Sequence, residues 1–149
     1  MIGTVEDHVP ACVVDTSVLV KLFVPEQGAE TAVALLRSRT GEGTVRAVPD
    51  LAYLECANVM WKLVKRGMLT DDLARESLSD LVELPLQVRP SLDVVETAFD
   101  LANELNITVY DAAYLALAVS MDVPLITADA ALVRKAGHYS GHVRLLSDL

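Results

Sequence analysis

Aromatic residues and cysteines are both scarce in this chain of 149 residues. Aromatic side chains make up 5% of it, too few for the stacked rows of rings on which many proteins bind single-stranded nucleic acid. The two cysteines, Cys12 and Cys56, form no C-x-x-C pair and both lie in apolar stretches. We therefore interpret them as buried thiols with no role in a disulfide or a metal site.

Basic residues are scarce as well, with 12 lysines and arginines against 21 aspartates and glutamates and a formal net charge of −9. This balance argues against broad electrostatic binding to nucleic acid, although it allows a nucleic-acid enzyme whose acids hold cations. No apolar run approaches the roughly 20 residues that a membrane-spanning helix needs. Residues 1–10 lack the basic start and apolar centre of a signal peptide. We expect a cytoplasmic protein with no membrane partner.

Apolar residues, 52% of the chain, occur in short β-branched runs that alternate with longer segments of helical spacing. Residues 12–14 and 123–127 are typical of buried strands. Shorter strands are predicted at 44–48, 86–88 and 143–146, and helices at 17–24, 26–39, 51–66, 70–84, 92–105, 109–121 and 130–136. This alternation predicts a mainly parallel sheet covered on both faces. We expect one domain over residues 1–149, with 1–10 as a short lead-in.

Four acidic residues occupy positions where acids are not expected. Asp15 ends the strand at 12–14, and Asp129 follows the second strong strand by two residues. Glu55 lies in the long helix at 51–66, whose apolar residues extend nearly all round it and predict burial. Asp111 starts another almost purely apolar helix. Burying an unpaired carboxylate costs several kcal/mol, so such groups become neutral, form ion pairs or bind metal.

The positions of these acids indicate a metal site. Hard cations such as Mg²⁺ and Mn²⁺ take carboxylate oxygens as ligands. In open α/β sheets, ligands bind in the crevice outside the carboxyl ends of the strands. If the two strong strands are neighbours, Asp15, Asp111 and Asp129 lie on one rim of the sheet. Glu55 reaches that rim if its helix crosses it.

Each acid also has a structural interpretation. Asp111 and Thr108 have the spacing of a capping box, and Asp129 suits an ordinary helix N-cap. Glu55 could simply face solvent. Asp15 has the weakest alternative, because the two hydroxyl residues after it can cap the next helix without it.

Four short segments contain these acids. They read V-V-D-T-S at residues 13–17, L-E-x-x-N-V-x-W-K-L at 54–63, V-Y-D-A-A-Y-L-A-L-A at 109–118 and L-I-T-x-D-x-x-L at 125–132. Each segment alone is a weak signal. Together, in this order and at this spacing, they resemble the PIN-domain ribonucleases of the VapC toxin type, and the resemblance extends from residue 12 to residue 146.

The resemblance implies a three-layer α/β/α sandwich and an endoribonuclease that uses one or two Mg²⁺ or Mn²⁺ ions. It further implies the toxin of a type II toxin–antitoxin module, which forms a homodimer and binds a small antitoxin protein near its site. By position in the motifs, the catalytic and metal-ligating residues are Asp15, Glu55, Asp111 and Asp129. The hydroxyls expected to bind a metal water or a phosphate are those of Thr16 or Ser17, and of Thr127. Asn58, one turn beyond Glu55, is expected to support it.

An acidic protein that cleaves RNA needs a local basic strip beside its metals. The candidates are Lys21, Arg37, Arg39, Arg46, Lys62, Lys65 and Arg66. For the last three, stabilisation of the end of a helix is the better interpretation.

Other functions remain open at this point. The main alternative is a non-catalytic PIN-like module that binds RNA or protein, in which the acids are structural. A phosphatase would need a second acid close behind Asp15, where Thr16 and Ser17 stand. Dinucleotide binding is weaker still, because no G-x-G-x-x-G follows the first strand.

Two further pairs of residues have better structural than functional interpretations. His138 and His142 have a spacing that could suit zinc, but no cysteine lies nearby, so we expect exposed loop histidines. Tyr110 and Tyr114 lie one helical turn apart. We expect both rings to pack against a neighbouring helix rather than to stack on bases.

Overall fold

The computed structural model describes residues 11–37 and 45–149. Its strands are Cys12–Val14 (β1), Arg46–Pro49 (β2), Gln87–Arg89 (β3), Leu125–Thr127 (β4) and Val143–Leu145 (β5). Its α-helices are Thr16–Leu19 (α1), Ala29–Arg37 (α2), Leu51–Lys65 (α3), Asp71–Glu83 (α4), Val95–Leu105 (α5), Val109–Met121 (α6) and Ala130–Lys135 (α7). Short 3-10 turns span Val20–Leu22, Ser91–Asp93, Gly137–His142 and Leu146–Asp148.

The strands form one sheet in the order β3-β2-β1-β4-β5, and each neighbouring pair is parallel. Starting from β1, the chain adds β2 and β3 on one side and later β4 and β5 on the other. The direction of strand addition therefore changes between β1 and β4. A parallel sheet has its ligand-binding crevice at the carboxyl ends of the strands beside such a switch point.

The register of β1 and β4 determines which residues lie side by side at this crevice. Val14 lies beside Ile126, and the Asp15 amide donates a hydrogen bond to the Ile126 carbonyl at 3.0 Å. The next residues along the two strands, Asp15 and Thr127, are therefore neighbours. The prediction that the two strongest strands share a rim of the sheet requires them to be adjacent, and they are.

Helices cover the sheet, which confirms the predicted α/β/α sandwich with a parallel sheet. Helix α6 contacts β1, β2 and β4, and α5 packs against α6. Residues 112–118 of α6 are buried without a break, and four of them are alanines, whose small side chains let the helix lie close to the strands. Within the described parts of the chain, no helix is both long and apolar enough to cross a membrane.

Several boundaries differ from the predicted ones. The helix predicted at 26–39 begins at Ala29, and the helix predicted from residue 92 begins at Val95 because Ser91–Asp93 forms a 3-10 turn. The strand predicted at 123–127 starts only at Leu125. Some predicted residues lie outside the part of the chain that the structure describes. They are the lead-in 1–10, residues 38 and 39 of the helix predicted at 26–39, and residue 44 of the strand predicted at 44–48.

The prediction that the helix at 51–66 is buried was wrong. Its buried residues are Ala52, Cys56 and Met60, a stripe with a spacing of four residues. Leu54 is 77% exposed and Trp61 57% exposed on other faces. Only one side of α3 faces the core, so apolar residues all round a helix do not by themselves guarantee burial.

The two cysteines are buried and free, as the sequence indicated. Burial raises the pKa of Cys12 to about 11 and that of Cys56 to about 12. Both thiols therefore stay protonated at neutral pH and behave as small apolar side chains.

Candidate active site

Asp15 occupies the N-cap position of α1, directly after the central strand, and is 6% exposed. Its Oδ2 atom accepts hydrogen bonds from the hydroxyls of Ser17 at 2.6 Å and Thr127 at 2.9 Å. Burial raises the pKa of the Asp15 carboxyl, and the two hydroxyl hydrogen bonds oppose that rise. The result is a desolvated carboxylate held in place by short neutral donors.

The same two hydroxyls connect the ends of β1 and β4. Ser17 Oγ also accepts a hydrogen bond from the Ala128 amide at 2.9 Å, and Thr127 Oγ1 accepts one from the Asp129 amide at 3.0 Å. Each hydroxyl therefore donates a hydrogen bond to Asp15 and accepts one from a backbone amide in the turn after β4. This arrangement fixes the position of Asp129 relative to Asp15.

Asp129 is the N-cap of α7, as its structural interpretation predicted. Its Oδ1 atom accepts hydrogen bonds from the amides of Ala131 at 2.9 Å and Leu132 at 3.3 Å. Its Oδ2 atom has no hydrogen bond to any residue that the structure describes. One oxygen is thus used by the helix, and the other is left for a ligand.

Glu55 lies on α3, half-buried, and its Oε1 atom accepts a hydrogen bond from the phenol of Tyr114 at 2.8 Å. The hydroxyl of Thr16 lies 3.4 Å from the same oxygen and 2.5 Å from the phenol oxygen. Burial raises the pKa of Glu55, the Tyr114 hydrogen bond opposes the rise, and the charges of Asp15 and Asp111 add to it.

Asp111 lies in the first turn of α6, where its amide donates to the side chain of the N-cap Thr108 at 3.1 Å. This confirms half of the predicted capping box. Burial raises the pKa of the Asp111 carboxyl, and the charges of Asp15 and Asp129 raise it further. The Thr108 hydroxyl and the charge of Lys135 oppose the rise. Asp111 is therefore electrostatically coupled to the two acids at the strand ends.

The structure brings the four predicted acids into one electrostatic cluster at the crevice between β1 and β4. In residues 11–37 and 45–149, none of the four is within ion-pairing distance of a lysine, arginine or histidine. In Asp15, Glu55 and Asp129, the side-chain and amide donors described above all bind to the same one of the two carboxylate oxygens. Several half-buried carboxylates without basic partners are the donor set that a hard divalent cation prefers.

The carboxylates do not by themselves form a closed ligand shell. Among the described residues, no three Asp, Glu, His or Cys side chains lie close enough to hold a metal ion as they stand. Like charges at short range repel each other, which favours an open arrangement until a cation is bound. The donor chemistry fits a divalent cation, and the side chains would have to converge around it.

The predicted hydroxyl and amide residues take different positions. Ser17 and Thr127 hold Asp15, whereas Thr16 contacts Tyr114 and Glu55. Asn58 is exposed and, among the described residues, has no hydrogen bond to Glu55 or to any other group. The structure does not bring Asn58 into the cluster.

Sequence reasoning missed the role of Tyr114 and was wrong about Tyr110. Tyr114 is completely buried and hydrogen-bonded to Glu55, whereas Tyr110 is 65% exposed and so does not pack as predicted. A signal was present, because a tyrosine in a helix predicted to be buried needs a partner for its hydroxyl.

The predicted basic strip is only partly available. Arg46 is wrong as a candidate, because it is buried in β2 and its Nε donates to the Leu35 carbonyl. Lys21 contacts Glu26 and the carbonyl of Gln27. Arg39 lies outside the described residues. The exposed candidates are Arg37, Lys62, Lys65 and Arg66.

Both histidines lie in the 3-10 turn Gly137–His142; His138 is exposed as predicted, whereas His142 is only partly exposed. His138 is exposed and lies 3.2 Å from Glu104, and His142 lies 3.1 Å from Asp122. Each histidine therefore contacts a different acid. These contacts are ordinary polar interactions at the surface.

Comparison with known proteins gives a consistent result along the chain. Residues 12–138 match the family model described as PIN domain. The chain is 39% identical over 125 residues to ribonuclease VapC3 of Pyrobaculum aerophilum, which covers 83% of this chain and 92% of that protein. It is 32% identical over 127 residues to ribonuclease VapC1 of Mycobacterium tuberculosis, covering 85% and 91% respectively.

Solved structures show the same fold at lower sequence identity. A crystal structure of a Pyrobaculum aerophilum protein superposes with a TM-score of 0.69 at 23% identity, over 93% of this chain and 85% of that one. A toxin–antitoxin complex from Klebsiella pneumoniae contains a chain that superposes with a TM-score of 0.59 at 22% identity, over 91% and 98%. At these identities the likeness establishes the fold.

Proposed function

The chain belongs to the PIN-domain family and within it to the VapC type of ribonuclease, and from this membership we propose that it is a metal-dependent endoribonuclease, the toxin of a type II toxin–antitoxin module. The proposal concerns the cation, the residues that hold it, and the partners. A cytoplasmic location remains a prediction. Hydrolysis of an RNA phosphodiester is the reaction that the acidic cluster would serve.

One observation carries the assignment of the site residues. Asp15, Glu55 and Asp129 each have one oxygen occupied by hydroxyl or amide donors. For Glu55 and Asp129 the second oxygen has no hydrogen bond within the described residues. Carboxylates that ligate metals are commonly oriented in this way by hydrogen bonds from a surrounding layer of residues. A structural acid in a buried or half-buried position is expected to have a cationic partner, and among the described residues none of these three has one.

The residues that would hold the cation are Asp15, Glu55, Asp111 and Asp129. One or two Mg²⁺ or Mn²⁺ ions, when bound, supply activation of a water and polarisation of the phosphoryl oxygens. Ser17 and Thr127 fix the Asp15 carboxylate, and their protons are already committed to it. We therefore expect these two hydroxyls to orient Asp15 rather than to contact the phosphate directly.

RNA must approach a protein whose net charge is −9. Exposed lysines and arginines would attract the phosphates only over distances of about 10 Å at ordinary salt, so their location matters more than the total charge. Of the predicted strip, Arg37, Lys62, Lys65 and Arg66 are exposed. Lys135, which the sequence reasoning did not select, is exposed on α7 and acts electrostatically on Asp111.

The test is RNA cleavage by the purified wild type and by Asp15→Asn, with added Mg²⁺, with Mn²⁺ and with EDTA. We expect cleavage in either metal, none in EDTA, and a loss of at least about a hundredfold in the variant, the scale of removing a preorganised electrostatic group. Asp100→Asn, at an exposed aspartate on α5, is the matched control and should cleave like the wild type.

The outcomes separate the proposal from the non-catalytic alternative. Cleavage by Asp15→Asn at the wild-type rate would reject the mechanism. Wild-type protein that binds RNA, takes up no Mn²⁺ in calorimetry and leaves the RNA intact would favour a binding module instead.

The partners are a proposal of the same kind. The solved toxin–antitoxin complex supports a small antitoxin, and exposed apolar residues such as Leu54, Trp61 and Phe99 supply surface that a protein partner or a second copy could cover. Light scattering at micromolar concentration tests the homodimer, and a monomer would count against it. Co-expression with the cognate antitoxin should suppress RNA cleavage in the cell.

A further inference from the structure

We propose that Tyr114, through its phenol and together with Thr16, is the positioning residue that orients the Glu55 carboxylate for metal binding. Tyr114 touches neither substrate nor cation in this scheme. It acts only through Glu55, and the inference rests on the proposed function of the acidic cluster.

The geometry places a donor deep in the core beneath a half-buried acid. Tyr114 is 0% exposed on α6, and its hydroxyl reaches Glu55 Oε1 on α3 at 2.8 Å. The two residues are 59 positions apart, so this bond joins two separate helices. It is the only hydrogen bond between side chains of α3 and α6 within the described residues.

Which group donates and which accepts in this network follows from the number of protons that each side chain carries. An ionised Glu55 can only accept, so Tyr114 donates its single proton to Oε1. The short contact between Thr16 Oγ1 and the phenol oxygen, 2.5 Å, is then a hydrogen bond donated by Thr16. Thr16 Oγ1 also lies 3.4 Å from Glu55 Oε1, too long for a strong second bond. The hydrogen bonds from Thr16 to Tyr114 and from Tyr114 to Glu55 therefore run in the same direction, and each strengthens the other.

These hydrogen bonds leave one carboxylate oxygen of Glu55 available to a ligand. Both hydroxyls approach Oε1, and Oε2 has no hydrogen bond among the described residues. A glutamate has several rotatable bonds, and without the phenol its carboxylate would have to be ordered when the cation binds. Fixing it beforehand removes that entropic cost.

The experiment compares Tyr114→Phe with Tyr110→Phe by titration of Mn²⁺ into metal-free protein without RNA, followed by calorimetry. Both variants remove one phenolic hydroxyl from the same helix, but Tyr110 is exposed and far less constrained. We expect Tyr114→Phe to weaken Mn²⁺ binding by about tenfold to a hundredfold, the usual effect of removing a residue that orients a metal ligand. Tyr110→Phe should bind Mn²⁺ like the wild type.

A second readout separates positioning from damage to the fold. In RNA cleavage, a positioning role predicts that Tyr114→Phe needs more Mn²⁺ for half-maximal rate but approaches the wild-type kcat at saturating Mn²⁺. Partial unfolding would instead lower the rate at every metal concentration. Thr16→Val, which removes the donor to the phenol, should shift the Mn²⁺ requirement in the same direction by a smaller factor.

The outcomes distinguish this inference from the function on which it rests. If Asp15→Asn loses Mn²⁺ binding while Tyr114→Phe retains the wild-type Kd, the positioning role is wrong and the metal site stands. If kcat of Tyr114→Phe stays low at saturating Mn²⁺ with an unchanged Mn²⁺ requirement, Tyr114 is structural. If wild-type protein binds no Mn²⁺, the proposed function fails, and the inference fails with it.

Discussion

The hydroxyl of Thr127 donates a hydrogen bond to Oδ2 of Asp15 at 2.9 Å, across 112 residues of sequence. Because β1 and β4 are adjacent and parallel, this bond joins the ends of two strands at the switch point of the sheet. The same oxygen of Thr127 accepts the Asp129 amide. One buried hydroxyl thus connects two of the proposed metal ligands.

Replacing Thr127 with valine should therefore destabilise the protein and weaken its metal site. Valine keeps the shape but leaves the buried Asp15 carboxylate with one donor fewer and the Asp129 amide without its acceptor. We expect the free energy of unfolding in EDTA to fall by about 1 to 3 kcal/mol. Urea unfolding measures it, and Thr97→Val, on the exposed side of α5, should change it by less than about 0.5 kcal/mol. Equal stabilities of the two variants would contradict the role assigned to Thr127.

The raised pKa values of Asp15, Glu55 and Asp111 predict how the stability of the metal-free protein depends on pH. Each folded carboxyl holds its proton more tightly than the unfolded chain does, whose ordinary values are 3.8 for aspartate and 4.5 for glutamate. Where pH lies between the ordinary and raised values, the folded state binds more protons, so the free energy of unfolding falls as pH rises. At neutral pH the three charges are therefore unfavourable for folding.

Asp111→Asn isolates one of these contributions. In EDTA at neutral pH, this variant should be more stable than the wild type by roughly 1 kcal/mol, the scale of a typical single substitution. Its advantage should shrink as the pH is lowered towards and below 3.8, because wild-type Asp111 is then protonated in both states. Urea unfolding over a pH series tests this, with Asp100→Asn as the control for loss of one surface charge. An advantage that grows towards low pH would contradict the sign.

Much of the fold could be predicted because β1 and β4 lie in short, mainly apolar runs and the segments between strands have helical spacing. Their adjacency could not be predicted from periodicity, which says nothing about strand order. It was a condition of the metal-site prediction, and the parallel pairing of β1 with β4 meets that condition. The position of Asp15 was informative for a local reason, since a charged residue directly after a buried strand has few alternatives.

The support around the acids could not be predicted to the same extent. Hydrogen bonds such as Tyr114 to Glu55 depend on how two helices cross, and one sequence contains no record of that angle. The predicted support from Asn58 failed to appear because a residue three positions after Glu55 lies on a neighbouring face of α3, which is exposed there. Spacing along a helix gives the approximate face but not the neighbour.

Because α3 is buried on one side only, and not all round as predicted, its two sides should differ in their contribution to stability. Met60 lies in the buried stripe at 1% exposure, whereas Leu54 is 77% exposed. Met60→Ala should cost about 2 to 5 kcal/mol, as removal of a core side chain does. Leu54→Ala should change the stability of the isolated chain by less than about 0.5 kcal/mol. Urea unfolding of both variants, at concentrations low enough to avoid self-association, measures the difference. A large cost for Leu54→Ala would mean that this face is covered in solution.

Asp129 has two proposed roles that can be separated, because one oxygen caps α7 and the other is left for a cation. Asparagine caps helices about as well as aspartate, whereas alanine does not, so Asp129→Ala should lose about 1 kcal/mol of stability in EDTA while Asp129→Asn stays close to the wild type. Both variants lack the negative charge, so both should bind Mn²⁺ more weakly than the wild type in calorimetry. If Asp129→Asn bound Mn²⁺ with the wild-type Kd, Asp129 would be a helix cap and not a metal ligand. If Asp129→Ala were as stable as Asp129→Asn, the hydrogen bonds to the amides of Ala131 and Leu132 would contribute nothing to the helix.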